Sequence, residues 1–336
     1  MTGPQNLGEF MRLLMCLSLM CVTVALSAEE YDPLRVAKDA DVKVTDFTVS
    51  DAKRNRELPI RVYLPPKDRG GDAVPVVVFS HGLGGTREGS PFLGQHWAAR
   101  GFVAVFVQHP GSDDSVWKDL PVANRMAALQ EAASVKNSIL RMQDVPAVLD
   151  QLSKWNAEPT HALAGRLNLK QVGMSGHSFG GQTTQAISGQ SFGAAGQPVT
   201  ESRIKAAIIM SPSLPPRGDT KAAFAKVKVP WLLMTGTLDG GVVGNQTPET
   251  RRGVYPLLPD GDKFELVLNK AEHSAFTERA LPGEKEPRNP NHHRVILATS
   301  TAFWDAFLRD DPTAKKWLTE NGPRSVLETA DVWQQK

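Results

Sequence analysis

The feature that most constrains the fold is a series of short, mostly apolar runs separated by longer segments. The runs occupy residues 76–79, 102–107, 171–175, 206–210, 231–235 and 264–268. Such runs are typical of strands buried on both faces of a parallel sheet. Helix-length segments lie among them at residues 92–99, 144–155 and 180–188. Because strands alternate with helices, we predict an α/β fold with a mostly parallel sheet, right-handed crossovers and helices on both faces.

An antiparallel hairpin is predicted before this series. Residues 42–64 alternate apolar and polar side chains on either side of the polar segment DAKRNRE. This alternation is typical of paired strands that have one face in contact with water. The predicted sheet therefore begins with an N-terminal antiparallel hairpin.

The interval between the runs at residues 102–107 and 171–175 is about twice as long as one crossover helix requires. We predict that residues 110–143 form an insertion or partial cap over the carboxyl edge of the sheet, where α/β proteins bind ligands. An extra packed helix without contact to substrate is the alternative. The sequence shows no internal repeat and no low-complexity tract, so we predict one catalytic domain over residues 29–336.

The N-terminal residues are predicted to be a secretory signal peptide. Residues 13–26, LLMCLSLMCVTVAL, are uncharged and apolar, follow Arg12 and precede small residues. This run is shorter than the ~20 residues that cross a bilayer, and it is typical of a cleaved leader over residues 1–28. A buried helix of the domain is the alternative. We therefore expect an exported protein, periplasmic or secreted, without an integral membrane segment after leader removal.

Cysteine usage and charge exclude several classes of function. Both cysteines, Cys16 and Cys21, lie in the predicted leader, so the mature chain would have no thiol nucleophile and no cysteine-ligated metal. The 38 Lys and Arg residues nearly balance the 36 Asp and Glu residues, and no basic block stands out. Because duplex binding needs a clustered basic face, no nucleic-acid partner is predicted. The sequence has no HExxH motif and no carboxylate cluster at ligand spacing, so no metal or cofactor is predicted.

A nucleophile is predicted at Ser178. The sequence GHSFG at residues 176–180, followed by Gly181, matches the G-x-S-x-G motif. An apolar strand precedes the motif, and GQTTQAIS follows it as a predicted helix. A sharp turn from strand to helix needs glycine on both sides of the serine, because neighbouring Cβ atoms would collide. The turn also directs the N-terminus of the helix towards the serine oxygen.

The predicted base is His273. A serine hydroxyl needs a base to remove its proton, and in this architecture the acid and then the histidine follow the serine along the chain. His273 comes shortly after the run at residues 264–268, at the carboxyl edge of the predicted sheet. His292 and His293 follow a charged loop and are predicted to be solvated or capping residues.

The predicted acid is Asp239. It follows the run at residues 231–235 in a short turn next to glycines, where a carboxylate could orient the imidazole. Three other carboxylates remain as alternatives: Asp219, Asp262 and Glu272. Of these, Glu272 would project away from its neighbour His273 in an extended segment.

Donors for a developing oxyanion are predicted in two places. The sequence SHGLGG at residues 80–85 follows the run at residues 76–79, and its glycines allow the backbone amides to turn inward. We assign the Leu83 N–H and the Phe179 N–H as the oxyanion hole. His81 and His177, each next to a glycine, are predicted to hold these loops by hydrogen bonds.

Three segments together resemble a known branch of the α/β hydrolases. FSHGLGGTRE, WAARGFVAVFVQHPGSD and GHSFGG are similar to sequences of platelet-activating-factor acetylhydrolase-like esterases. Predicted dienelactone hydrolases, chlorophyllases and polyester-degrading cutinases are neighbours of that branch. The resemblance extends over residues 46–308. It implies an α/β-hydrolase fold and cofactor-independent ester hydrolysis by Ser178 and His273, with the Leu83 and Phe179 amides as the oxyanion hole.

The chain departs from these relatives at two points. Phospholipid-type acetylhydrolases carry the acid just after the strand that follows the nucleophile helix, and this chain has SPS there, at residues 211–213. Asp239 instead fits the acid position of the cutinases and dienelactone hydrolases. True dienelactone hydrolases use a cysteine nucleophile, which the predicted mature chain lacks.

The sequence therefore predicts a serine esterase that acts on small-molecule, lipid or polymer esters through an acyl-enzyme. Its substrate could be a lipid, as for the acetylhydrolases, or a polyester, as for the cutinases. A non-catalytic binding protein with the same fold is an alternative of another class. A peptidase or amidase that uses the same residues is a further alternative.

Overall fold

A nine-stranded sheet forms the centre of the fold. The computed structural model describes residues 30–37, 40–66, 73–192, 197–241, 243–281 and 283–336, so the predicted leader lies outside the described residues. In spatial order the strands are β1 (Lys43–Asp51), β2 (Arg56–Leu64), β4 (Val103–Val107), β3 (Val74–Ser80), β5 (Leu167–His177), β8 (Ile204–Met210), β9 (Trp231–Leu238), β10 (Lys263–Glu272) and β11 (Val332–Gln335). A separate ribbon pairs β6 (Ser191–Phe192) with β7 (Gln197–Pro198).

The sheet is parallel in its centre and antiparallel at both edges. The neighbours from β4 to β10 run parallel. At one edge β1 and β2 form the predicted antiparallel hairpin, and β2 is also antiparallel to β4. At the other edge β11 is antiparallel to β10. The prediction of a mostly parallel sheet with an N-terminal hairpin is confirmed.

Helices cover both faces of the sheet. They are α1 (Pro91–Ala99), α2 (Val122–Ala132), α3 (Val135–Ala157), α4 (Phe179–Ser188), α5 (Thr220–Phe224), α6 (Pro248–Arg252), α7 (Pro290–Leu308) and α8 (Pro312–Thr319). Alternate residues of β3 enter different cores because successive strand side chains point to opposite faces. Val77 packs in the core that contains residues of α1 and α7, and Val78 packs in the core that contains residues of α3 and α4. The molecule therefore has the predicted α/β-hydrolase fold.

The six apolar runs all fall in strands, except that Phe102 precedes β4, whereas the edge strand β11 was not predicted. Its sequence, VWQQ, has no apolar run and no clear alternation. It forms because Val332 and Trp333 pair with Val267 and Leu266 of β10, which are distant along the chain. The short helices α5, α6 and α8 were likewise not predicted. Residues Tyr31–Lys336 form one compact unit.

The region predicted as an insertion contains α2 and the first part of α3. The helix predicted at residues 144–155 is the C-terminal part of α3, which begins after the cap Ser134 and is 23 residues long. Only Ala132 of α2 is buried, so α2 lies on the surface before the crossover helix. In the described part of the chain, no helix is both long enough and apolar enough to cross a membrane.

Candidate active site

Ser178 stands in a strained turn between β5 and α4. Its backbone angles are φ 57° and ψ −114°, a region that side chains rarely adopt. A Cβ on Gly180 would overlap the Ser80 carbonyl, and a Cβ on Gly176 would overlap the Gly180 carbonyl. Glycine is therefore required on both sides of the turn. Ser178 itself is partly exposed, so a ligand could reach its hydroxyl.

The structure brings Ser178, His273 and Asp239 together. His273 Nε2 lies 2.9 Å from Ser178 Oγ, and His273 Nδ1 lies 2.6 Å from Asp239 Oδ1. Asp239 directly follows β9, and His273 directly follows β10. Because these strands are parallel neighbours, their carboxyl ends lie side by side at one edge of the sheet. Three residues that are far apart in the sequence thus form one hydrogen-bonded series.

Asp239 remains ionised despite its burial. Its side chain is fully buried, and burial by itself would raise the pKa of the carboxyl group. The hydrogen bond with His273 and the charge of Arg251 outweigh burial, so the pKa is lowered to about 2. Asp239 also accepts a hydrogen bond of 2.8 Å from Thr235 Oγ1. An ionised acceptor holds the imidazole proton on Nδ1 and leaves the Nε2 lone pair directed at Ser178.

The predicted oxyanion loop lies against the nucleophile turn. A Cβ on Gly82 would be 3.5 Å from the Cβ of Ser178, so the loop after β3 and the turn after β5 are in close contact. Phe179 is the first residue of α4, where an amide has no partner within the helix. Within the described residues, neither the Leu83 N–H nor the Phe179 N–H forms a hydrogen bond with another part of the chain. Both amides are therefore free to donate to a ligand.

His81 and His177 border the site in different ways. His81 Nε2 accepts the His109 N–H at 3.1 Å, and its Nδ1 donates to the Gly82 carbonyl at 2.6 Å, as the loop-holding prediction requires. The His177 ring packs 4.6 Å from the His273 ring and 5.6 Å from the Phe276 ring. Its Nε2 has no hydrogen-bond partner among the described residues. Burial lowers the pKa of both side chains well below the usual range, so both rings are neutral.

The prediction of solvated or capping residues was wrong for His292, and His293 is only partly exposed and does not cap the helix. His292 is buried, and its Nε2 lies 3.0 Å from the Asn269 carbonyl. The His293 ring stacks on Phe92 at 3.8 Å between centroids. Asn289 caps the helix instead. The charged loop before α7 suggested exposure, but this end of the helix packs against β10 and the start of α1.

The alternative carboxylates have other partners. Asp219 caps α5 by accepting the Lys221 and Ala222 amides. Glu272 accepts the amides of residues 285 and 286. Asp262 pairs with Lys315 at 3.2 Å.

Sequence reasoning missed Arg251, which contacts the candidate acid. Its side chain is only 2% exposed. Its Nε lies 2.9 Å from Asp239 Oδ1 and donates to the Asp239 carbonyl at 2.8 Å. A charged residue in the short polar segment PETRR is normally solvated, so no sequence signal indicated this contact.

Sequence reasoning also missed Arg141, which is fully buried between the oxyanion loop and α4. It donates to Ser80 Oγ at 3.1 Å and to the His81 carbonyl. It also donates to Thr183 Oγ1 at 3.2 Å and stacks over the Phe179 ring at 4.6 Å. Burial lowers its pKa to about 9, which leaves the guanidinium charged at neutral pH. Arg141 therefore links the two segments that carry the free amides.

The described residues contain no group of three or more His, Cys, Asp or Glu side chains that could hold a metal ion.

Comparison with known families adds an independent observation. Residues 57–147 match the family model described as platelet-activating factor acetylhydrolase, isoform II. The chain resembles the platelet-activating factor acetylhydrolases. This resemblance supports an α/β-hydrolase serine esterase. A search of curated proteins found no match.

The region of resemblance to the acetylhydrolases is informative in itself. It extends from β2 through the oxyanion loop, α1, β4 and α2 to the middle of α3. It contains Leu83 and Arg141, and it ends before Ser178, Asp239 and His273. The match therefore supports the fold and the class of ester hydrolase. The roles of the last three residues depend on their geometry.

Proposed function

We propose that this protein hydrolyses carboxylic esters through an acyl-enzyme on Ser178. The observation that carries the proposal is the series Ser178–His273–Asp239, with distances of 2.9 and 2.6 Å, beginning at a strained and partly exposed serine. The similarity to acetylhydrolases supports the same class of reaction.

The geometry supports the following sequence of steps. His273 Nε2 takes the Ser178 proton as Oγ attacks the ester carbonyl. The Leu83 and Phe179 amides donate to the oxyanion of the tetrahedral intermediate. His273 then gives the proton to the departing alcohol, and an ester bond to Ser178 remains. Water attacks this acyl-enzyme by the same route, which releases the acid and restores Ser178. Asp239, ionised because its pKa is about 2, stabilises the imidazolium at each step.

The contacts of the segment over residues 110–143 support the proposal that it covers the acyl chain. Trp117 donates its Nε1–H to the Gly84 carbonyl of the oxyanion loop at 2.8 Å. A Cβ on Gly84 would meet the side chain of Leu129 at 2.7 Å, so α2 packs directly on this loop. Val122 and Met126 on α2 are exposed. The segment thus presents an apolar surface next to the proposed oxyanion hole.

The family resemblance supports a proposal for the substrate class. It favours a lipid or small-molecule ester over a polymer. Rates on p-nitrophenyl esters with acyl chains of two to sixteen carbons would define the preferred acyl length.

Active-site labelling tests the proposed function. A fluorophosphonate probe should label the protein once, and Ser178→Ala should abolish both labelling and the hydrolysis of p-nitrophenyl acetate. A matched p-nitroanilide distinguishes an esterase from an amidase, because an esterase should leave the anilide nearly intact. A folded wild-type protein that neither reacts with the probe nor hydrolyses any ester would instead be a binding protein with a hydrolase fold.

We propose further that the protein is exported, to the periplasm or outside the cell. The apolar run at residues 13–26, which follows Arg12, supports this. N-terminal sequencing of the protein from fractionated cells is the test. An intact N-terminus on cytoplasmic protein would contradict export.

A further inference from the structure

Arg251 is held against the candidate acid by a dense set of contacts. It lies at the end of α6, whose start is fixed by a capping box between Thr247 and Thr250. Besides its contacts with Asp239, the Arg251 Nη1 atom donates to the carbonyls of Ser211 at 2.8 Å and Pro212 at 3.2 Å. The guanidinium thus ties the turn after β9 to the segment after β8. Since it is 2% exposed, it is too deeply buried to bind a substrate.

The same guanidinium places a positive charge next to the base. Its Nη2 atom lies 3.3 Å from His273 Nδ1. Because Nδ1 carries the proton that is donated to Asp239, this contact brings two donors together. The other groups that face the His273 ring are the Asp239 carboxylate, the neutral His177 ring and the Ser178 hydroxyl. The base is therefore flanked by one anion and one cation, and not by the anion alone.

The two flanking charges act on the imidazole in opposite directions. A nearby carboxylate favours the protonated imidazole, and a nearby cation disfavours it. Arg251 therefore acts against Asp239 on the positive charge that the imidazole takes up when it accepts the Ser178 proton.

We propose that Arg251 is a positioning residue with a second, electrostatic role: it holds Asp239 in place and extends the active pH range of the esterase towards acid. This proposal rests on the proposed function. Arg251 does not touch the reacting atoms, and it acts through Asp239 and His273.

The test is the pH profile of kcat/KM on p-nitrophenyl acetate for wild type, Arg251→Lys and Arg251→Met, with thermal melts of each. For Arg251→Met we expect the acid limb to move to higher pH by roughly one unit, because the opposing charge is gone. Its plateau should also fall about tenfold as Asp239 loses support. Arg251→Lys should lose plateau activity but keep the acid limb of the wild type. Arg252→Met, at the exposed neighbouring position on α6, is the matched control and should change neither.

Two further measurements keep the outcomes distinct. If Arg251→Met does not fold, Arg251→Gln removes the charge and keeps hydrogen-bond donors, and it should show the same shift. Activity that falls by one factor at every pH, with the acid limb unmoved in a folded neutral variant, would overturn the electrostatic role. Fluorophosphonate labelling of Ser178 is measured on the wild-type protein, without any Arg251 variant. It therefore separates this result from a failure of the proposed function.

Discussion

Two Ser–His–Asp series lie among the described residues, and they are joined through the same side-chain atoms. The outer triad comprises Ser178, His273 and Asp239, and the inner triad comprises Ser80, His109 and Asp144. In the inner triad, His109 Nε2 lies 2.9 Å from Ser80 Oγ, and His109 Nδ1 lies 2.9 Å from Asp144 Oδ2. These distances are close to the 2.9 and 2.6 Å of the outer triad. The hydrogen bonds within each triad therefore do not distinguish the outer triad from the inner triad.

Exposure and backbone geometry do distinguish them. Ser80 is fully buried at the end of a regular strand, and its Oγ accepts a hydrogen bond from Arg141 at 3.1 Å. Ser178 is partly exposed, and its backbone has a positive φ of 57° in the turn after β5. The outer serine also lies beside two free amides. Of these two serines, only Ser178 is open to solvent.

The electrostatics differ as well. Asp144 forms ion pairs of 2.8 Å with both Arg54 and Arg56, whereas among the described arginines Asp239 pairs with Arg251. Burial and the charge of Arg141 lower the pKa of His109 to about 4. The inner triad thus has a neutral imidazole, and its contacts connect the hairpin, β3 and α3. A Ser–His–Asp series needs an accessible serine and donors for the oxyanion before it can support ester hydrolysis, and of these two series only the outer one has both features.

The largest expected effect separates the two serines. Ser178→Ala should lower kcat/KM by about 10⁵–10⁶-fold and abolish fluorophosphonate labelling, because the nucleophile is lost. Ser80→Ala should keep the label and lower activity by less than about tenfold. It should reduce the free energy of unfolding by about 1–3 kcal/mol, because buried partners lose a hydrogen bond. Ester assays, fluorophosphonate labelling and urea denaturation measure these differences between the two variants. Labelling of Ser80 would contradict the distinction between the two serines.

The next effect separates the two acids. Asp239→Asn should lower kcat by about three or more orders of magnitude, because an amide favours the wrong imidazole tautomer. Asp144→Asn should instead destabilise the fold by about 3–5 kcal/mol, since it removes the buried counter-charge of Arg56 and one of the two carboxylates that pair with Arg54. Asp219→Asn is the control and should cost less than about tenfold in activity, because asparagine caps a helix as well as aspartate does. A larger loss for Asp219→Asn than for Asp239→Asn would move the acid to the segment after β8.

A smaller effect concerns pH and the inner triad. An unfolded histidine binds a proton below about pH 6.5, but folded His109 binds one only below about pH 4. Between these values the unfolded chain binds more protons, so the free energy of unfolding falls as the pH is lowered from 6.5 towards 4. One such group contributes at most about 3 kcal/mol over this window.

Urea denaturation at pH 7, 6 and 5 measures this contribution. His109→Gln should lose less stability than the wild type as the pH is lowered. Part of the pH dependence should remain in this variant, because burial also lowers the pKa of His96 to about 4. Ser178→Ala should follow the wild-type slope. Equal slopes for wild type and His109→Gln would contradict the assignment of a neutral His109.

The smallest effect concerns access to the outer triad. Trp117→Ala should change the ratio of kcat/KM for long and short acyl esters by a few-fold to about tenfold, with a smaller change in the rate on acetate. Trp117→Phe keeps an aromatic ring but loses the hydrogen bond to Gly84, so it should largely keep the wild-type preference. An unchanged chain-length profile in Trp117→Ala would assign residues 110–143 a structural role only.

Much of the fold and most of the candidate site followed from local patterns. The six apolar runs predicted the central strands because a strand buried on both faces is apolar throughout. Ser178 was recognised because its turn depends on neighbouring glycines, and the overlaps at Gly176 and Gly180 show why. Asp239 and His273 were chosen because each comes soon after an apolar run. All of these signals lie within a few residues of the feature that they predict.

The buried charges were decided only by the tertiary structure. Arg141 contacts Ser80 across 61 residues, and Arg56 contacts Asp144 across 88. Arg251 reaches His273 across 22 residues, from a helix with no apolar pattern. A sequence pattern reports that an apolar side chain will be buried, because any apolar surroundings stabilise it. A charged side chain is stable in the interior only beside specific counter-charges and hydrogen-bond acceptors, and those positions exist only once distant elements have packed together.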